Sequence, residues 1–111
     1  MWNDTNTTIE TMNKSLHKFN AAREWHQFHT PKDLAMAVSI EASELLELFL
    51  WNQVHEVSLS REVENEAADV AICLLNFCAT MGINLCAAIE RKMHLNSMKY
   101  PVAPKKKPGQ S

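Results

Sequence analysis

The chain has 111 residues, 46% of them apolar and 22% charged, with a formal net charge of -2. That is the composition of one soluble domain with a modest core, and it excludes whole-chain disorder. The near-neutral charge leaves no electrostatic footprint for a nucleic-acid polymer, and no run of about 18 apolar residues proposes a membrane partner.

The N-terminus lacks a basic-then-apolar secretion pattern, so a cytoplasmic location is expected. Cys73, Cys78 and Cys86 are odd in number, contain no C-x-x-C pair and sit in apolar surroundings. They are read as reduced, buried thiols. Only two glycines occur, too few for a sheet of tight hairpins.

Four helical segments follow in chain order. The first is expected from about Thr8 to Trp25, with Ile9, Met12, Leu16 and Phe19 on its apolar side and Thr7 or Thr8 as cap. The stretch 25–30, Trp-His-Gln-Phe-His-Thr, breaks that periodicity. Thr30, Pro31 and Asp33 then form a helix start: a capping hydroxyl, a proline at the first position and an acid in the first turn. The second helix is expected to reach Trp51, followed by a loop over about 52–59. Ser60 is the next cap, and a third helix runs to about Met81. Gly82 supplies a stop and Asn84 a new cap. A fourth helix is expected from Leu85 to about Met98. The domain is placed at residues 1–100, with 101–111 as a flexible tail rich in proline and lysine. Lys105 to Lys107 are read as solvated.

The chemistry appears when the second and third helices are read at helical spacing. Leu34, Val38, Glu41, Leu45 and Leu48 form a core row with one carboxylate in it. Ala37, Glu41, Glu44, Leu48 and Trp51 form the adjacent row. On the third helix, Leu59, Val63, Glu66, Val70, Cys73 and Phe77 form another core row, and Asp69 lies one turn beyond Glu66. Each helix thus carries an acid pair at i, i+3 on its buried side. Carboxylates are seldom buried unpaired, so four together call for protons or a cation. An all-carboxylate donor set suits Mg²⁺, Mn²⁺ or Ca²⁺; zinc would recruit His or Cys. No Glu has a His three residues later, which disfavours a di-iron bundle, and no EF-hand loop is present. Magnesium combines a few carboxylates with substrate phosphates, so the acids point to a phosphorylated ligand. Glu47, Glu62 and Glu64 read as ordinary solvated or helix-terminal acids.

The runs Glu41-Ala-Ser-Glu44 and Glu66-Ala-Ala-Asp69 match E-x-x-E and E-x-x-D on successive helices, and resemble the MazG-like nucleoside triphosphate pyrophosphohydrolases. The segment Arg23 to Pro31 resembles the loop before the first acidic helix in the dCTP pyrophosphatase branch. The segment Lys92 to Pro101 resembles that branch's K-M-x-x-N-x-x-x-Y-P ending. The resemblance implies an all-α four-helix fold completed by homo-oligomerisation, as a homodimer or a dimer of dimers. It implies hydrolysis of a nucleoside triphosphate, dCTP or other dNTPs, to the monophosphate and pyrophosphate with Mg²⁺ or Mn²⁺. Glu41, Glu44, Glu66 and Asp69 would be the metal ligands and catalytic groups. Trp25, Phe28, His29, Trp51 and His17 would face base or sugar, and Lys92, Asn96, Lys99 and Tyr100 the phosphates. Relatives that prefer dCTP carry a tyrosine one turn after the Asp69 position, where this chain has Cys73. The alternative is a non-catalytic helical bundle that binds nucleotide or protein. Against it, a scaffold gains nothing from buried acids.

Overall fold

The computed structural model describes residues 1–51, 61–104 and 109. The expected loop over 52–59, the Ser60 cap and the Lys105–Lys107 run lie outside the described residues. Helix α1 spans Ile9–Ala22, a single 3₁₀ turn spans Trp25–Phe28, α2 spans Pro31–Leu50, α3 Arg61–Met81 and α4 Leu85–Lys99. Among the described residues there is no strand.

The helix ends follow local chemistry. Thr8 Oγ1 accepts from the Thr11 amide at 3.1 Å, and Thr30 Oγ1 from the Asp33 amide at 3.2 Å. Asn84 Oδ1 accepts from the Ala87 amide at 3.1 Å. Each satisfies one of the amides that a helix start leaves unpaired. Gly82 takes a left-handed φ of 68° while the Ile83 amide reaches back to the Cys78 carbonyl at 2.9 Å, a Schellman closure of α3. Helix α1 stops three residues short of Trp25. Glu24 adopts φ 56°, a left-handed value no helix accommodates, and Trp25 therefore belongs to the 3₁₀ turn.

Helices α2 and α3 form the principal interhelical contact, and α1 lies against α3. Asn20 of α1 is buried, and its side-chain amide donates to Asn76 Oδ1 of α3 at 3.1 Å. The two expected core rows are oriented inward: Val38, Leu45 and Leu48 face the interface from α2, and Val63, Val70, Cys73 and Phe77 from α3, all half-buried.

The interior is thin. Among the described residues only Leu34, Leu75 and Cys78 are buried apolar side chains, and none is fully buried. Phe19, expected inside, is exposed, and so is Cys86, which corrects the reading of three buried thiols. The chain turns by 101° between α3 and α4, so α4 runs away from the other helices rather than along them. The radius of gyration is 18.7 Å, against about 13 Å for a compact domain of this length. Among the described residues no single helix is long and apolar enough to cross a membrane.

Candidate functional site

The acids converge. Glu41 comes from α2, Glu66 and Asp69 from α3, and one carboxylate oxygen from each lies within 4.8 Å of the other two. Glu44, one turn along α2 from Glu41, joins the group through a hydrogen bond with it. The α2–α3 contact is what brings them together: Glu41 and Glu66 lie half-buried on the faces that the surrounding leucines and valines drive into the interface, while Glu44 and Asp69, one turn along, are exposed, which corrects the expectation that all four acids are buried.

The electrostatics record the crowding. The Glu41 carboxyl is pushed up to about 7, first by the hydrogen bond shared with Glu44, then by desolvation, then by the charges of Glu44, Asp69 and Glu66. Glu66 is also raised, chiefly by burial and next by the charges of Glu44 and Asp69. Among the described residues the Oε2 atoms of Glu41 and Glu66 are both shielded from solvent and without a hydrogen-bond partner. Shielded, unpaired acceptor oxygens are costly. Two of them beside a third carboxylate form an all-oxygen donor set that fits a hard divalent cation.

An apolar pocket of about 570 Å³ adjoins the acids. Trp25, Phe28 and His29 line it together with Phe19, Leu34 and Ile72, and so do Ala37 and Cys73, the lining residues nearest the acids in sequence. Ala37 is one helical turn before Glu41, and Cys73 one turn after Asp69. The Cys73 thiol is pushed up, first by burial and then by the charges of Glu41 and Asp69, so it stays protonated beside them. Two elements deliver the aromatic wall. The left-handed Glu24 turns the chain off α1, and the 3₁₀ turn then presents Trp25 and Phe28 towards α2 and α3. Arg23 stacks on the Phe19 ring, its guanidinium 3.5 Å from the ring centre, and so covers that edge.

Other expected site residues are not gathered here. His17 lies beside His26 with ring centres 4.8 Å apart, and it lines a smaller cavity behind His29. Trp51 ends α2 at 88% exposure, outside the pocket. Lys92, Asn96, Lys99 and Tyr100 lie exposed on or just after α4, which the 101° turn carries away from α2 and α3. Several pocket residues escaped the sequence reading, Trp2 the largest of them. Trp2 lines the aromatic pocket, held by a turn in which Asn3 Oδ1 accepts from the amides of Thr5 and Asn6 at 2.9 and 3.0 Å. The run Asn-Asp-Thr-Asn at 3–6 is the signal that could have located that turn.

Residues 36–110 match the MazG-like family. The chain is 33% identical over 102 residues to dCTP pyrophosphatase 1 of Rattus norvegicus, covering 86% of this chain and 60% of that protein. It is 35% identical over 101 residues to dCTP pyrophosphatase 1 of Homo sapiens, covering 85% and 59%. The chain therefore spans about 60% of the length of these relatives. A crystal structure of a pyrophosphatase from Archaeoglobus fulgidus DSM 4304 superposes with a TM-score of 0.79 at 37% identity, covering 92% of this chain and all of that one. The family match spans both acid pairs, and the chain belongs to the MazG-like family.

Proposed function

We propose that the chain is a nucleoside triphosphate pyrophosphohydrolase that cleaves dNTPs, dCTP among them, to the monophosphate and pyrophosphate with Mg²⁺, or Mn²⁺ in its place. The observation that carries this is a juxtaposition: an all-carboxylate cluster with two orphaned oxygens lies one helical turn from an aromatic pocket wide enough for a base, with Cys73 lining the pocket and feeling the charges of Glu41 and Asp69. The relatives named dCTP pyrophosphatase 1 and the archaeal pyrophosphatase support the same reading.

The division of labour follows from charge. A triphosphate and four carboxylates repel each other, so the acids serve this substrate only with a cation between them. Glu41, Glu66 and Asp69 would hold that cation, with Glu44 completing the set through its contact with Glu41. When bound, the metal neutralises phosphate charge and acidifies a water ligand. The rest falls to the protein. Trp25 and Phe28 stack on the base, His29 hydrogen-bonds at the pocket rim, and Cys73 stays neutral where base and acids meet. Water adds to phosphorus at the α–β anhydride, pyrophosphate leaves, and a carboxylate takes the water's proton. Positioning supplies much of the rate, as in other phosphoryl transfers.

The thin interior supports association as a homodimer or homotetramer. Apolar residues such as Met36, Ile40, Leu46, Ile89 and Met93 are exposed on α2 and α4. A contact that covers them would also bring Trp51, Lys92, Asn96, Lys99 and Tyr100 of one copy towards the site of another. Sedimentation should give a dimer or tetramer, and Met93→Glu should shift it towards monomer.

The test of activity is incubation of the full chain with each dNTP and MgCl₂. The expected products are dNMP and pyrophosphate, and release of dNDP with orthophosphate overturns the reading. Glu41→Gln and Asp69→Asn should each lower kcat more than about 100-fold with helical content unchanged, the order seen when a single transition-state contact is removed. Tight nucleotide binding without turnover at any divalent metal would instead identify a non-catalytic binding bundle.

A further inference from the structure

One acid at the aromatic pocket stands apart from the cluster of four. Asp33 lines that pocket, and among the described residues there it is the one carboxylate, with no Lys or Arg beside it. An acid in the first turn of a helix needs no ligand to explain it, because the unpaired amides there favour negative charge. Its place in the wall of an apolar pocket is a separate observation. Thr30 Oγ1 accepts from the Asp33 amide at 3.2 Å and so holds the start of α2. The Asp33 carboxylate itself has no hydrogen bond or ion pair among the described residues. It is exposed, so a ligand can reach it. The two asparagine amides at the same pocket are engaged with each other, Asn20 donating to Asn76 Oδ1 at 3.1 Å.

The helix fixes the distances. Asp33, Ala37 and Glu41 form one row on α2 at i, i+4 and i+8. With a rise of about 1.5 Å per residue, Asp33 stands about 6 Å before Ala37 and about 12 Å before Glu41. Asp33 and Ala37 line the pocket, and Glu41 belongs to the acidic cluster. Ala37 carries only a methyl, which leaves the middle of the row low. A nucleotide has its base edge and its phosphates at opposite ends, with the sugar between them. Laid along this row with its phosphates at the cluster, it would bring the base edge to Asp33. A carboxylate accepts hydrogen bonds and donates none. It can pair with the exocyclic amine of cytosine or adenine, and it repels the carbonyl oxygen that uracil, thymine and guanine carry at the equivalent place. We propose that Asp33 selects the base, favouring cytosine and adenine over the keto bases. The proposal rests on the nucleotide reading of the site and adds which bases it takes. A separation of about 12 Å exceeds the Debye length of about 8 Å at physiological ionic strength, so this charge acts on the base and hardly on the phosphates.

The test is equilibrium binding to the full chain in MgCl₂, followed by tryptophan fluorescence. The probes are the α,β-imido analogues of dCTP and dUTP, which differ at this edge of the base and resist cleavage at the α–β bond. An amine–carboxylate pair separates right from wrong base by roughly 5- to 150-fold, and an exposed pair belongs near the lower end. The native chain should therefore bind the dCTP analogue about fivefold or more tightly than the dUTP analogue. Asp33→Asn keeps the shape and adds a donor for a carbonyl, so the preference should vanish or reverse. Circular dichroism should be unchanged, because the Asp33 bond that holds the helix start is made by its backbone amide. A purely structural Asp33 would instead weaken both analogues alike. Equal binding of the two by the native chain, or a preference in Asp33→Asn within about twofold of the native one, overturns the proposal. Binding of neither analogue overturns it together with the nucleotide reading. The predicted preference without release of pyrophosphate from dCTP supports it and overturns the hydrolase reading alone.

Discussion

Protons and metal compete for the same oxygens in the acidic cluster, and the competition has a calculable size. Without a cation, Glu41 titrates at about 7 instead of 4.5, because it shares a hydrogen bond with Glu44 and faces three other acids. At pH 6, one unit below that value, about nine-tenths of the molecules hold the proton there. A divalent ion must displace it. Calorimetric titration of the metal-free protein with MgCl₂ at pH 6, in two buffers of different ionisation enthalpy, should count close to one proton released per ion. At pH 8.5 the count should fall towards zero. Apparent affinity should rise about fivefold between pH 6 and 7 and about tenfold between pH 6 and 8, and level off above that. Stability of the metal-free protein carries the matching sign. The raised group contributes fully below its unfolded value near 4.5 and loses that contribution as pH climbs through about 7. Metal-free protein should therefore melt lower at pH 8 than at pH 6, with Mg²⁺ reversing the trend. Binding at pH 6 without proton release, or an affinity that ignores pH, would refute the argument that these carboxylates act as one cluster.

Two further outcomes test the pocket and the frame. Trp25→Ala should raise KM for dNTPs roughly 10-fold or more with a smaller effect on kcat, since aromatic stacking contributes about 1–3 kcal/mol per base; steady-state kinetics with Mg²⁺ would decide. Gly82→Ala should destabilise the fold by about 1 kcal/mol in a denaturant melt. The site is open, with nothing within 4 Å of an added Cβ, so the cost is that of φ 68° alone.

Features that depend on neighbours in sequence were legible. Thr8, Thr30 and Asn84 cap the helices on which their side chains were expected to act. The acid pairs face each other because helical periodicity fixes which side of α2 and α3 they occupy. What escaped depends on single dihedral angles. Glu24 is an unremarkable helix residue by propensity, yet its left-handed backbone ends α1 early and swings Trp25 out of helical register. Nothing in the run Met81 to Asn84 specifies a turn of 101° rather than a return along the bundle, so the placement of Lys92 to Tyr100 could not be read locally. The proximity of His17 to His26 likewise arises from the fold-back after Glu24, across nine residues of chain.

The scarcity of fully buried apolar side chains has a consequence for how this protein responds to dilution. A protomer whose interior rests on Leu34, Leu75 and Cys78 keeps little folding free energy for itself. In the proposed homodimer or homotetramer, most would come from surface that a second copy covers. Folding and association then share one equilibrium, and the melting temperature becomes a function of protein concentration. Specific activity should fall at low concentration for the same reason, because the helices that hold the four acids would lose their support as the copies part. In such a protein the amount present acts as a control on whether each molecule works at all.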